Sequence, residues 1–299
     1  MSVLVLGAGF SGKAIGAHLV GLGHQVFGTT RQETGFDSIR ACGIEPLLFD
    51  GQNASEPLLK RLRETTHLIV SIAPSRIESE NADAIVDPSL AAFGDLAANE
   101  LAPNLQWIGY LSTVGVYGNH DGAWVDETTP VAPQTARSRQ RVRAEAEWLS
   151  VGETLGLPVG IFRLSGIYGP GRNAFVTIEK GKSRRLVKKD QVFNRIHVGD
   201  IARFVSKALE QKAGGLFNIT DNEPAPPQDV VTFAHELMGR VPPPELDFET
   251  ADLTPMARSF YGENKRVSNL KSKDILDLDY EWPDYRASFQ RMWNDGSWR

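Results

Sequence analysis

A chain of 299 residues buries about three-quarters of the surface it exposes when unfolded, enough for one large α/β domain or for one with a smaller lobe. With 41% hydrophobic and 23% charged residues its composition is that of a soluble globular protein, and a net charge of −5 argues against nucleic acid or membrane surfaces as principal partners. The single cysteine, Cys42, rules out an intrachain disulfide and fits a reducing, cytoplasmic setting.

The elements follow in chain order. Ser2–Leu6 is a continuous apolar run, as expected of a strand buried on both faces, and no basic flank makes it a secretory signal. Glycines break the run at 7–12, a helix is expected over Lys13–Leu22, Gly23 ends it, and Gln25–Thr29 is a second strand. Cys42, beside Gly43, reads as a small packing residue. Strands Ile44–Phe49 and His67–Ile72 flank a helix around Glu56–Arg63. Asp87–Glu100 is expected to be helical, Leu105–Ser112 a buried strand, Arg137–Gly152 a helix and Val159–Leu164 a strand. A helix over Asp200–Lys212, with Asp200 as its N-cap, and a last strand at Leu216–Thr220 complete the pattern.

Strands alternating with helices imply right-handed βαβ units, hence an α/β, Rossmann-type, doubly wound parallel sheet. From about Gly166 the alternation loosens through the basic segment Lys180–Lys189, read as a solvated loop, and the prolines at 224–227 and 242–244. We expect a dinucleotide-binding domain over 1–165, with 198–223 returning to it, and a smaller C-terminal substrate lobe from 166–197 and 224–299. No stretch approaches the roughly 18 apolar residues of a membrane span. No His/Cys cluster has metal-ligand spacing.

Gly7-Ala8-Gly9-Phe10-Ser11-Gly12 is G-x-G-x-x-G between a buried strand and a helix, the context that makes the motif specific. Gly7 permits the tight turn, Gly9 lets backbone approach a pyrophosphate, and Gly12 packs helix on strand. Amides at the helix start, around Phe10 and Ser11, then face the anion. Roughly 20 residues on, where an acid would select NAD, stand Thr29, Thr30 and Arg31. Hydroxyls and a guanidinium suit a 2′-phosphate, which favours NADP over NAD. Ala73, after the fourth strand, is placed with the cofactor contacts, and Asp50 lies either near the adenine or in an ordinary turn.

Further segments line up in order: Leu111-Ser112-Thr113-Val114-Gly115-Val116-Tyr117-Gly118, Phe162-Arg163-Leu164-Ser165-Gly166-Ile167-Tyr168-Gly169-Pro170-Gly171, Arg195-Ile196-His197-Val198-Gly199-Asp200-Ile201-Ala202 and Gly215-Leu216-Phe217-Asn218-Ile219. Together with the fingerprint they resemble extended short-chain dehydrogenases/reductases, the epimerase/dehydratase-like group. The resemblance implies a Ser or Thr, a Tyr general acid/base and a Lys that lowers the phenol's pKa toward neutrality. Thr113 matches the hydroxyl position. The helix that would carry Tyr-x-x-x-Lys reads Gln134 to Glu145 with no Tyr and no Lys. With Glu145 matched to the family's glutamate, Arg137 stands at the tyrosine site and Arg141 at the lysine site. An arginine stays protonated and cannot shuttle a proton near neutrality.

Arg137 and Arg141 share one helix face, either as solvated cations or as an anion-binding pair. Tyr117 and Tyr168 are alternative acids or packing residues, and His197 is a base or a buried, hydrogen-bonded imidazole. Two functions follow from the resemblance. One is an NADP-dependent oxidoreductase or epimerase/dehydratase-type enzyme with altered catalytic residues, acting on a small molecule as a cytoplasmic monomer or homodimer. The other is a non-catalytic NADP(H)-sensing protein of the same fold.

Overall fold

The computed structural model describes residues 1–76, 85–93 and 101–299. Its centre is a seven-stranded parallel sheet: β1 (Ser2–Leu6), β2 (Gln25–Thr30), β3 (Glu45–Leu48), β4 (His67–Val70), β5 (Trp107–Thr113), β6 (Val159–Leu164) and β7 (Gly215–Ile219). The spatial order is β7-β6-β5-β4-β1-β2-β3. The register runs Val5 opposite Gly28 on one side of β1 and Leu6 opposite Val70 on the other. Helices α1 (Phe10–Gly21), α2 (Phe36–Arg40), α3 (Glu56–Glu64), α4 (Pro88–Phe93), α5 (Ala136–Leu155) and α6 (Val198–Gln211) connect the strands. The rest of the helix expected over Asp87–Glu100, residues 94–100, lies outside the described residues.

The sheet is where the continuous apolar runs place it. Val3, Leu4, Val5 and Leu6 are fully buried, because a strand covered on both faces alternates nothing. Against one region of the sheet pack Leu58 and Leu62 of α3 and Ala144 and Trp148 of α5, with Phe27, Leu68, Ile108 and Tyr110. Full burial is worth about 1.5–3 kcal/mol per large apolar side chain in such a cluster. α5 starts at Thr135, whose hydroxyl accepts the Ser138 amide, and ends at Gly156 in the left-handed region.

The chain forms two compact units, each of three segments: 1–116, 135–163 and 201–217 in the first, 117–134, 164–200 and 218–299 in the second. Segment 117–134, which the sequence expectation kept with the first unit, groups with the second. Within it, Trp124–Val125 pairs in parallel with Arg266–Val267. The second unit also holds the pairs Gly166–Tyr168 with Arg195–His197 and Arg185–Val187 with Glu245–Asp247. Its largest core gathers Tyr168, Phe175, Tyr285, Phe289, Met292 and Trp298.

Two local expectations are corrected. Asp200 is the third residue of α6, and its two carboxylate oxygens accept the amides of Glu281 and Trp282 at 3.0 and 2.9 Å, so it braces a distant segment instead of capping the helix. The Lys180–Lys189 segment is not a plain solvated loop. Arg185 lies in a strand, bonded to the Pro243 carbonyl and Glu245, and Lys188 donates to the Tyr261 carbonyl. Among the described residues no helix is long and apolar enough to cross a membrane.

Candidate functional site

β1 runs straight into the glycine turn, and β1 is also where the order of connections reverses, with β2 on one side and β4 on the other. In doubly wound sheets, ligands bind outside the carboxyl ends of the strands at such a point. Gly7 has φ +91°, a conformation that side-chain-bearing residues rarely adopt. Its amide donates to Thr29 Oγ1 at 2.8 Å, and the Ala8 amide to the Thr29 carbonyl at 2.8 Å, so the end of β2 fixes the turn. A Cβ on Gly12 would run into the Gly7 carbonyl oxygen, which is why only glycine lets α1 start here.

Gly9 behaves differently. It caps α1 with no side-chain bond, and a Cβ built on it meets nothing within 4 Å. The first intrahelical bond is from the Lys13 amide to the Gly9 carbonyl, so the amides of Ser11 and Gly12 have no acceptor inside the helix. Backbone donors, the positive end of a 12-residue helix and an open space in front of Gly9 make a cradle for a pyrophosphate. These residues fit a dinucleotide.

The other expected cofactor residues lie at or just beyond the carboxyl ends of β2, β4 and β3. Thr30 ends β2 and Arg31 is exposed just after it. Ala73 is exposed shortly after β4, next to Ile72, which approaches Gly7. Asp50 sits in its own turn, where the Asn53 and Gln52 amides donate to Oδ1 and hold the carboxyl below its ordinary pKa.

The expected catalytic residues lie at the end of β5, on the first two turns of α5 and in the second unit. Thr113 ends β5 and its hydroxyl accepts the Gly115 amide at 3.1 Å. Arg137 is exposed on the first turn of α5. Arg141, one turn on, donates to the Tyr110 hydroxyl at 3.0 Å and to the Leu111 carbonyl at 2.7 Å, so its guanidinium is bound to β5. Burial pushes the Tyr110 phenol well above its ordinary pKa despite that cation. Tyr117 belongs to the second unit, is fully buried, and donates to Asn218 Oδ1 at 2.8 Å. Tyr168 and His197 also belong to that unit. Tyr168 is buried edge-on to His197, and burial raises its pKa. His197 stacks on Trp282 at 3.8 Å, its Nδ1 accepts the Gly199 amide, and burial lowers its pKa to about 4.

Sequence reasoning missed a buried polar cluster beneath α5. Glu145 takes Arg163 Nη2 at 2.7 Å and Ser112 Oγ at 2.5 Å, and each of the three residues is about 5% exposed. Its signal was a lone arginine inside the apolar strand Val-Gly-Ile-Phe-Arg-Leu. This cluster and Arg141 tie α5 to β5 and β6. Among the described residues no group of three or more His, Cys, Asp or Glu side chains gathers as a metal site.

Similarity to known proteins agrees with this geometry. The model of the NAD dependent epimerase/dehydratase family matches residues 3–220. A conserved protein of unknown function from Silicibacter pomeroyi is 45% identical over 99% of both chains, with a TM-score of 0.88. Protein YeeZ of Escherichia coli is 26% identical, covering 94% of this chain and 96% of its own. The human epimerase family protein SDR39U1, solved with NADPH, shares the fold at 18% identity and a TM-score of 0.70, over 99% of this chain and all of its own. The sheet order, the glycine cradle and a match spanning most of the chain lead to one assignment: the chain belongs to the NAD dependent epimerase/dehydratase family.

Proposed function

We propose that this chain is an NADP(H)-dependent oxidoreductase or epimerase-type protein with a rebuilt proton-transfer site, acting on a small carbonyl or sugar-nucleotide-like molecule. The observation that carries the cofactor choice is the end of β2. Thr29 is used to lock the cradle, and Thr30 and Arg31 occupy the place where a carboxylate would repel a 2′-phosphate. When bound, the nicotinamide supplies or accepts a hydride. Gly9 and the α1 amides hold the pyrophosphate, and Thr113 offers a hydroxyl at the end of β5.

One observation favours a second reading, a non-catalytic protein that binds NADP(H) and responds to it. Arg141, at the position that the resemblance gives to the lysine, is committed to Tyr110 and Leu111. Fluorescence titration with NADPH and NADH, followed by a turnover screen on carbonyl compounds and sugar nucleotides, separates the two. Tight NADPH binding with turnover supports the enzyme, the same binding without turnover supports the responsive protein, and no NADPH binding refutes both.

A further inference from the structure

Lys13 stands one residue beyond the third glycine, on α1, at the same end of the sheet as the cradle. Its ammonium leaves that helix and reaches Ser38 Oγ at 3.5 Å, on α2, which follows β2. The contact belongs to a short chain of neighbours that leads back to the ribose end of the expected dinucleotide site. Ser38 Oγ donates to the Gly35 carbonyl at 2.9 Å, and Gly35 packs against the side chain of Thr30. Thr30 in turn precedes Arg31. Lys13 therefore reaches, from α1, the segment leaving β2 that begins with Arg31.

Neither cation pairs with a carboxylate among the described residues. The acids on the segment are Glu33 and Asp37, both exposed, and Asp37 is taken by Arg40 at 3.3 Å. A half-buried lysine parked on a neutral hydroxyl has most of its charge uncompensated by protein. A phosphomonoester is the anion that this position would receive, because it carries close to two negative charges and three acceptor oxygens.

We infer that Lys13 is a second cation of the ribose 2′-phosphate subsite, held ready by Ser38 and acting with Arg31. The inference rests on the NADP reading above. Lys13 recognises the group that distinguishes NADP from NAD and contributes little to the pyrophosphate that both share.

The test compares NADPH, NADH, 2′,5′-ADP and 5′-AMP binding by calorimetry to the native protein, Lys13→Met and Lys13→Arg. Methionine keeps the length and helix preference of the side chain and removes only the charge. Lys13→Met should weaken NADPH and 2′,5′-ADP by about five- to twentyfold, the range for one partly exposed charge-assisted contact. NADH and 5′-AMP should stay within about twofold, which also shows that the variant is folded. Lys13→Arg should remain close to native for all four. Equal weakening of all four ligands by Lys13→Met overturns the inference, since the lysine then acts on what they share. An NADPH preference that Lys13→Met leaves untouched overturns it too, and leaves the NADP reading standing. A native protein with no preference for NADPH overturns both.

Discussion

Replacing Gly9 with valine separates the cradle's ligand function from its folding function. Gly9 has φ −80° and ψ −151°, an extended conformation outside the left-handed region, and a Cβ there meets no protein atom within 4 Å. The structural cost is that of losing a glycine N-cap, at most about 1 kcal/mol. The isopropyl group instead fills the space through which a pyrophosphate must approach the α1 amides. Forfeiting one or two charge-assisted bonds of about 1.5–3 kcal/mol each weakens NADPH by at least about tenfold. Gly12→Ala is the contrasting control. Its methyl group would strike the Gly7 carbonyl oxygen, and a backbone oxygen cannot rotate away, so overpacking costs about 1–3 kcal/mol or more and disturbs the fold as well. Titration of NADPH fluorescence paired with thermal melts followed by circular dichroism reads both quantities. The reasoning is refuted if Gly9→Val binds NADPH as tightly as native, or if it melts below Gly12→Ala.

Four further outcomes are expected. The native protein should bind NADPH at least about tenfold tighter than NADH, about 1.4 kcal/mol, and Arg31→Asp should reverse the order; equal native affinities in a fluorescence titration would remove Arg31 from the explanation. Turnover of standard carbonyl and sugar-nucleotide substrates should be slow, because general acid/base catalysis contributes about 10²–10⁴-fold and neither Arg137 nor Arg141 supplies it; brisk turnover surviving both Arg137→Ala and Arg141→Ala would place the acid elsewhere. Glu145→Ala should cost about 3–5 kcal/mol in urea unfolding by removing the carboxylate paired with the buried Arg163 charge, whereas a loss below about 1 kcal/mol would mean that the ion pair is solvated. Burial lowers His67 and His197 from 6.5 to about 4, so the folded protein binds fewer protons than the unfolded chain between those values. Stability should therefore fall as pH drops through that window, and His197→Asn should flatten the slope of the urea midpoint against pH; an unchanged slope excludes His197 as a contributor.

The parts of the fold legible in the sequence are those set by neighbouring residues. Ser2–Leu6 and Val159–Leu164 were found to the residue because a strand buried on both faces is one unbroken apolar run. The cradle was legible for the same reason, since each glycine's duty is local to the turn. α1 begins three residues earlier than expected, at Phe10, because the helix starts inside the glycine motif, where composition gives no apolar period. What stayed hidden is what depends on residues far along the chain. Asp200 looked like a helix cap, yet its partners are Glu281 and Trp282. Glu145 served only as a marker in a resemblance, and nothing in the local pattern tied it to Ser112 and Arg163. Arg141 reads as one cation of an exposed face until the Tyr110 hydroxyl and Leu111 carbonyl are seen beneath it.

The seventh strand has a consequence for how such a chain is made. β7, residues Gly215–Ile219, is an edge of the sheet and neighbours β6, with Phe217 stacked on Phe162 at 5.6 Å. On a ribosome, β1 to β5 emerge well before that strand, with residues 117–134 and 164–200, which belong to the second unit, threaded between. Until residue 219 has left the exit tunnel, β6 presents an uncovered apolar edge, the kind of surface that pairs with other chains. A product truncated near residue 200 should therefore aggregate instead of yielding a smaller nucleotide-binding fragment. Premature termination before residue 219 would act as a loss of the whole protein.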